Sequence, residues 1–319
     1  MSLLQNLIRA AQRMPPVSEH SPPSDPPVLV RSSIVHPNDQ MPPLGDEFFL
    51  PYVGAWDNRT EISRVGGTAG YIHASSLISM ECVRQNILAA QNSSVVYNRV
   101  SGGHRLMWAQ GRATETHIRE GIIEASDRQG VYGKWVCRCG DASSVGFIPD
   151  ADILCDNCHK PLDIYREPVL KNDEYMVIGS PDITKMHRAH IVVGEIKSMT
   201  PDQFDSLEEP LADHVTQAAL YRELYKLAGF KVHDMVSIIY GRKQFRWGGT
   251  SGEKRVYKEY VRDATALHVQ STIQFCLDTA KQIALHNRAK TLPERTVCRS
   301  ANDKKAKACP VSHLCFSMR

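Results

Sequence analysis

The sequence predicts a mixed α/β protein with an insertion, on three observations. Two neighbouring β-prone segments, "EYMVIGSPDI" and "HIVVGEIKSM", read as paired strands. An amphipathic helix, "LADHVTQAALYRELYKLAG", follows them, then a strand, a hairpin and a long helix. Residues 131 to 165 break the pattern with paired cysteines and glycines. At 319 residues, 42% hydrophobic and 23% charged, the chain can bury a sizeable core.

From the N-terminus, residues 1–45 read as a proline-rich flexible arm that could dock a protein partner, because prolines at this density block helix and sheet. "SSLISMECVRQNILAA" (75–90) reads as a capped amphipathic helix and "GRATETHIREGIIEAS" (111–126) as another. "VHDMVSIIYGRK" and "RVYKEYV" read as a hairpin, and "DATALHVQSTIQFCLDTAKQIALHNR" as the long helix that carries Cys276 on its apolar stripe. The core is thus expected over 46–128 and 166–297, the insertion over 129–165, and a cysteine-bearing segment over 298–319. No apolar run is long enough to span a bilayer and no leader is evident, so a cytoplasmic protein is expected. A net charge of +3 means that any nucleic-acid surface must be a local patch.

The chemistry concentrates in "GSPDITKMHRAHIVVGEIKS" (179–198). Asp182 follows one strand, while Glu195 and Lys197 flank Ile196 on the next and so share a face. Two carboxylates at neighbouring strand ends make a hard, oxygen-rich pocket suited to Mg²⁺ or Mn²⁺. Lys197 could steady charge on a phosphate or help deprotonate the attacking water. On the next helix His214, Gln217 and Tyr221 fall on one face, and His117 lies on an upstream helix.

The ordered set Gly-x-x-Asp, Glu-x-Lys and Gln-x-x-x-Tyr, preceded by a helical histidine, resembles the PD-(D/E)XK nucleases of the RecB-like exonuclease group. That group includes the CRISPR-associated adaptation and AddB-type nucleases. The resemblance covers roughly residues 75–125 and 175–315. It implies a restriction-endonuclease-like core, a central mixed sheet flanked by helices. It also implies that His117, Asp182, Glu195 and the Ile196 carbonyl hold the divalent cation. Lys197 would act on the attacking water, with Gln217 and Tyr221 holding the lysine, nearby waters or DNA. The implied activity is hydrolysis of DNA phosphodiesters by an exonuclease acting on ends in recombination, repair or spacer acquisition, and a phage origin fits the same reading. A structure-specific endonuclease is the nearer alternative; a non-catalytic DNA-binding or assembly module is the alternative of another class.

Nine cysteines without export signals point to metal ligation more than to disulfides. Cys137-x-Cys139 and Cys155-x₂-Cys158 suit a structural zinc ribbon, with His159 as a substitute for one thiolate. Cys82, Cys298, Cys309 and Cys315 are similar to the one-early, three-late cysteines of the family's iron-sulfur subgroup, which implies a 4Fe-4S cluster; zinc is the runner-up. Ten residues separate Cys298 from Cys309, a longer gap than that subgroup has. Cys276 is expected in the core.

Arg242, Lys243, Arg246, Lys254 and Arg255 interleave with Trp247 in a hairpin that could meet single-stranded DNA or DNA ends. A solvated edge hairpin predicts the same composition. "GGTSGEK" lacks the spacing of a phosphate loop.

Overall fold

The computed structural model describes residues 60–62, 70–92, 97–99, 102–147, 154–243 and 256–317. The proline-rich arm and Arg246, Trp247, Lys254 and Arg255 lie outside the described residues. The first elements are β1 (Thr60–Ile62), β2 (Ile72–His73), α1 (Ala74–Ile78), α2 (Val83–Gln91), β3 (Tyr97–Arg99) and α3 (Gly102–Ala125). Next come β4 (Tyr132–Val136), β5 (Ser143–Phe147), β6 (Ile164–Arg166), β7 (Leu170–Asn172), β8 (Val177–Gly179), β9 (Ile183–His187) and β10 (His190–Met199). The chain continues through α4 (Pro201–Asp205), α5 (Ala212–Leu227), β11 (Met235–Arg242) and β12 (Tyr257–Asp263). It closes with α6 (Leu267–Ala289), α7 (Lys304–Ala308) and α8 (Ser312–Ser317).

The fold is mixed α/β. Its largest sheet has the order β12-β11-β10-β9, with β10 and β11 parallel and the outer pairs antiparallel. Alternation along β10 serves two layers. Val193 joins Val236 and Ile238 under Leu220, Leu224 and Tyr225 of α5 and Ile273 and Leu277 of α6, whereas Ile196 joins Ile118 and Ile123 of α3. Burying each such side chain contributes about 1.5–3 kcal/mol, so the central position of β10 is fixed by both layers.

Two sequence expectations change. Residues 75–90 do not form one helix: α1 and α2 are separate, and Cys82 caps α2 by accepting the Gln85 N–H. The partner of β10 is β9, the residues after Asp182; "EYMVIG" instead supplies β8 to a second sheet, β2-β8-β7. A two-residue turn makes β9 and β10 a hairpin, with Arg188 and Ala189 at φ 46° and 68°, the left-handed pair that strand twist favours. The insertion forms its own sheet, β5-β4-β6, yet Val131, Trp135 and Leu162 share one apolar cluster with Ile118, Ile183 and Ile196. Cys276 is buried in the core as expected.

Candidate active site and metal centres

β9 pairs with β10 only as far as Gly194, so the remainder of β10 has an open edge. Asp182, the residue before β9, fills the first gap: its Oδ2 accepts the Ile196 N–H at 2.7 Å. Backbone groups of one strand residue point to the same edge, so the Ile196 carbonyl also faces Asp182. The neighbouring Glu195 side chain is 1% exposed, and its Oε1 lies 2.5 Å from the Lys197 ammonium. Its other oxygen, Oε2, is buried without any hydrogen-bond partner.

Burial, reinforced by Asp182, pushes the Glu195 carboxyl up to about 8. Burial also raises Asp182, against the pull of Lys197 and the Ile196 N–H. For Lys197, burial opposes the charge, but Glu195, Asp182 and Glu115 outweigh it and hold the ammonium above its ordinary range. Without a cation the pocket therefore retains a proton that separate side chains would have lost.

Helix α5 lines one side. Gln217 Nε2 donates to the Tyr221 hydroxyl at 3.1 Å, and burial followed by the Glu195 charge keeps that phenol protonated. Gly179 makes room for it, since a Cβ there would come within 2.5 Å of the Tyr221 ring. His214 meets the Tyr240 hydroxyl through Nδ1 at 2.9 Å, and Tyr240 stands opposite Lys197 in the parallel register. Burial and then the Lys197 charge push His214 down to about 4, so it is neutral.

On helix α3 the structure places the expected ligand away from the pocket and a different acid toward it. His117 is exposed, while Glu115 turns inward, accepts the Ser198 hydroxyl at 3.3 Å and is raised by burial and by Asp182. Two helical positions differ by about 200° around the axis, so a residue in line with Gly111, Ile118 and Ile122 leaves position 117 facing solvent. That phase was the available signal for Glu115. A further acid, Glu167, pairs with Arg119 at 2.5 Å, and burial and Asp182 raise it. Tyr165 of the insertion donates to the Asp182 carbonyl at 3.4 Å, which ties the inserted sheet to the site. Among the expected DNA contacts, Arg242 forms an ion pair with Asp205 at 2.9 Å, and Lys243 reaches over Gly111.

Cys137, Cys139, Cys155 and Cys158 bring all their sulfurs within 4.8 Å of one another and could hold a metal ion. His159 is not in that group, and no other His, Cys, Asp or Glu group among the described residues is this tight. The hydrogen bond between Cys137 and Cys139 pushes the Cys137 thiol down to about 6 and Cys139 up, so the pair without a metal shares one proton. Cys82, Cys298, Cys309 and Cys315 together line a separate cavity between α2 and the C-terminal segment. Arg84 donates to the Cys315 sulfur at 3.3 Å, and Cys309 and Cys315 pack against a small apolar cluster of Leu88, Ala89 and Val311. Among the described residues, no helix is long and apolar enough to cross a membrane. In comparisons with known proteins, no family model and no curated protein matches the chain.

Proposed function

We propose that the chain is a metal-dependent DNA nuclease with a PD-(D/E)XK-type site on a restriction-endonuclease-like core. The observation that carries this reading is the orphaned Glu195 Oε2, buried beside Asp182 and two residues from Lys197. Leaving a carboxylate oxygen buried and unpaired is costly, and a hard cation removes that cost. Asp182, Glu195 and the Ile196 carbonyl would hold it, with Glu115 in place of His117 on the helix side. A Mg²⁺ or Mn²⁺ ion there would supply the charge that acidifies a water and shields phosphate oxygens.

The side chains do the rest. Lys197, released from Glu195, donates to a phosphate oxygen as negative charge builds on it. Gln217 orients the Tyr221 hydroxyl toward the same pocket, and neutral His214 leaves the lysine as the cation on that face. An exonuclease acting on DNA ends in recombination or repair fits this arrangement.

The two cysteine sets suit different inorganic groups. A tetrahedral Zn²⁺ with bonds of about 2.3 Å needs its sulfurs close together, as the 137/139/155/158 set provides. A 4Fe-4S cluster binds each thiolate to a different iron, so its sulfurs stand farther apart around a shared space; Cys82, Cys298, Cys309 and Cys315 line one cavity without forming a group as tight as the first. That cluster would tie α2 to the C-terminus.

The test is digestion of end-labelled linear and circular DNA with Mg²⁺ or Mn²⁺, beside Asp182→Ala and Lys197→Ala. Release of nucleotides from linear DNA by the parent chain alone supports the reading; equal release by all three proteins overturns it.

A further inference from the structure

We propose that the N-terminal half of α3 is a strand-guiding arm, on which an unpaired DNA base stacks against Trp108 while Lys243 meets an adjoining phosphate. The proposal rests on the nuclease reading and extends it to the form of the substrate.

At 24 residues, α3 is about 36 Å long, yet its core residues Ile118 and Ile123 lie in the C-terminal half. Farther forward, Leu106 is 62% exposed and Trp108 46%. His104, Trp108, Gly111 and Glu115 follow one another at i, i+4, i+7 and i+11, so they form a single stripe. Each position along it has a distinct chemistry. The His104 and Trp108 ring centroids are 6.4 Å apart. Gly111 comes next, where an added Cβ would crowd Ser198 Oγ at 3.0 Å and lie in ordinary contact with Lys243 Nζ at 3.6 Å, so the ammonium sits against this turn of the helix. Glu115 ends the stripe at the acidic pocket, about 10 Å along the axis from Trp108.

The stripe suits a polyanion carrying exposed rings. Residues 102–114 contain no acid, and the arginine they expose is Arg112, Arg105 being buried. Cations match phosphates, and an exposed indole stacks on any unpaired base. A protein partner would call for an apolar stripe; instead Leu106, Met107 and Trp108 are consecutive, so they point about 100° apart and share no face.

The test uses the full chain with Trp56→Phe and Trp247→Phe, with no Mg²⁺ or Mn²⁺ added and no chelator, so that any structural metal stays in place. Trp108 then reports beside Trp135, which is fully buried and shielded from quenchers. A single-stranded oligothymidine should quench Trp108 emission, Trp108→Ala should bind roughly ten-fold more weakly and Trp108→Phe should retain most affinity. Lys243→Gln should lower the salt slope of binding by about one. Unchanged affinity in Trp108→Ala overturns the arm. So does a Trp108 that acrylamide cannot reach in the free protein, because another segment or a second copy then covers it. Cleavage that depends on Asp182 but not on Trp108 leaves the nuclease standing without the arm; binding that depends on Trp108, with no cleavage in Mg²⁺ or Mn²⁺, does the reverse.

Discussion

The Asp182 carboxylate takes the Ile196 N–H at 2.7 Å, in the position a strand would occupy had β9 continued past Gly194. One side chain thus finishes the sheet edge and forms a wall of the acidic pocket. Asp182→Asn retains a hydrogen-bond acceptor of the same shape without the charge, whereas Asp182→Ala removes both. Thermal unfolding should show the alanine variant less stable than the asparagine variant, since it leaves the Ile196 N–H without an acceptor, which costs about 1–3 kcal/mol where the group is buried. Both variants should lose DNA cleavage. An asparagine variant with full activity would show that the charge is not needed.

Helix phase makes an equally sharp prediction on α3. Glu115→Gln should weaken Mn²⁺ dependence or activity by about 10–100-fold, the usual effect of altering a carboxylate around a metal. His117→Ala should leave initial rates within about two-fold, as its exposed position implies. Rates measured across a Mn²⁺ titration separate the two, and the reverse order would restore the histidine.

How much of this was legible follows from range of interaction. Period two placed Glu195 and Lys197 together, and period 3.6 placed Gln217 and Tyr221 together; both are local and the structure has both pairs in contact. The choice between Glu115 and His117 depended on which face of α3 the sheet covers, and that is decided by Ile118 and Ile123 meeting Ile183 and Ile196, far away in sequence. The strand pairing failed for a similar reason. "EYMVIG" and the residues after Asp182 are equally β-prone, and only the Arg188–Ala189 turn selects the second as the partner of β10.

Removing the cation should make stability pH-dependent. Glu195 is raised to about 8 from an unfolded value of 4.5, so its contribution is fully present below 4.5 and lost as pH rises through 8. In EDTA the melting temperature should therefore fall between those values, and Glu195→Gln should flatten the fall. Mn²⁺ should restore stability most at the alkaline end, because it competes with the retained proton. A parent chain whose EDTA profile matches that of the glutamine variant would contradict the buried, raised carboxyl.

Gly179 tests the other wall. Alanine there would bring a methyl within 2.5 Å of the Tyr221 ring and 3.1 Å of the Ala74 Cβ, so the aromatic must shift. Overpacking of this kind costs about 1–3 kcal/mol, readable as a lower midpoint in urea. Activity should fall as well, since Tyr221 and its Gln217 bond move with the ring. A variant with the parent midpoint would mean that the ring has room the structure does not show.

The two cysteine sets should fail independently, and this separates their contents. Cys155→Ser belongs to the tight set, whose buried neighbours include Trp135, so losing its metal should loosen the inserted sheet and change tryptophan emission while leaving any brown colour in place. Cys82→Ser acts on α2, where the same sulfur also caps the helix, so it should bleach the protein and release the C-terminal segment to proteolysis with zinc content unchanged. Elemental analysis of anaerobically purified protein should give one zinc and four irons per chain. Two zincs and no iron would put a single ion at both sites, and the wider spacing of the second set would then have to close when the ion binds.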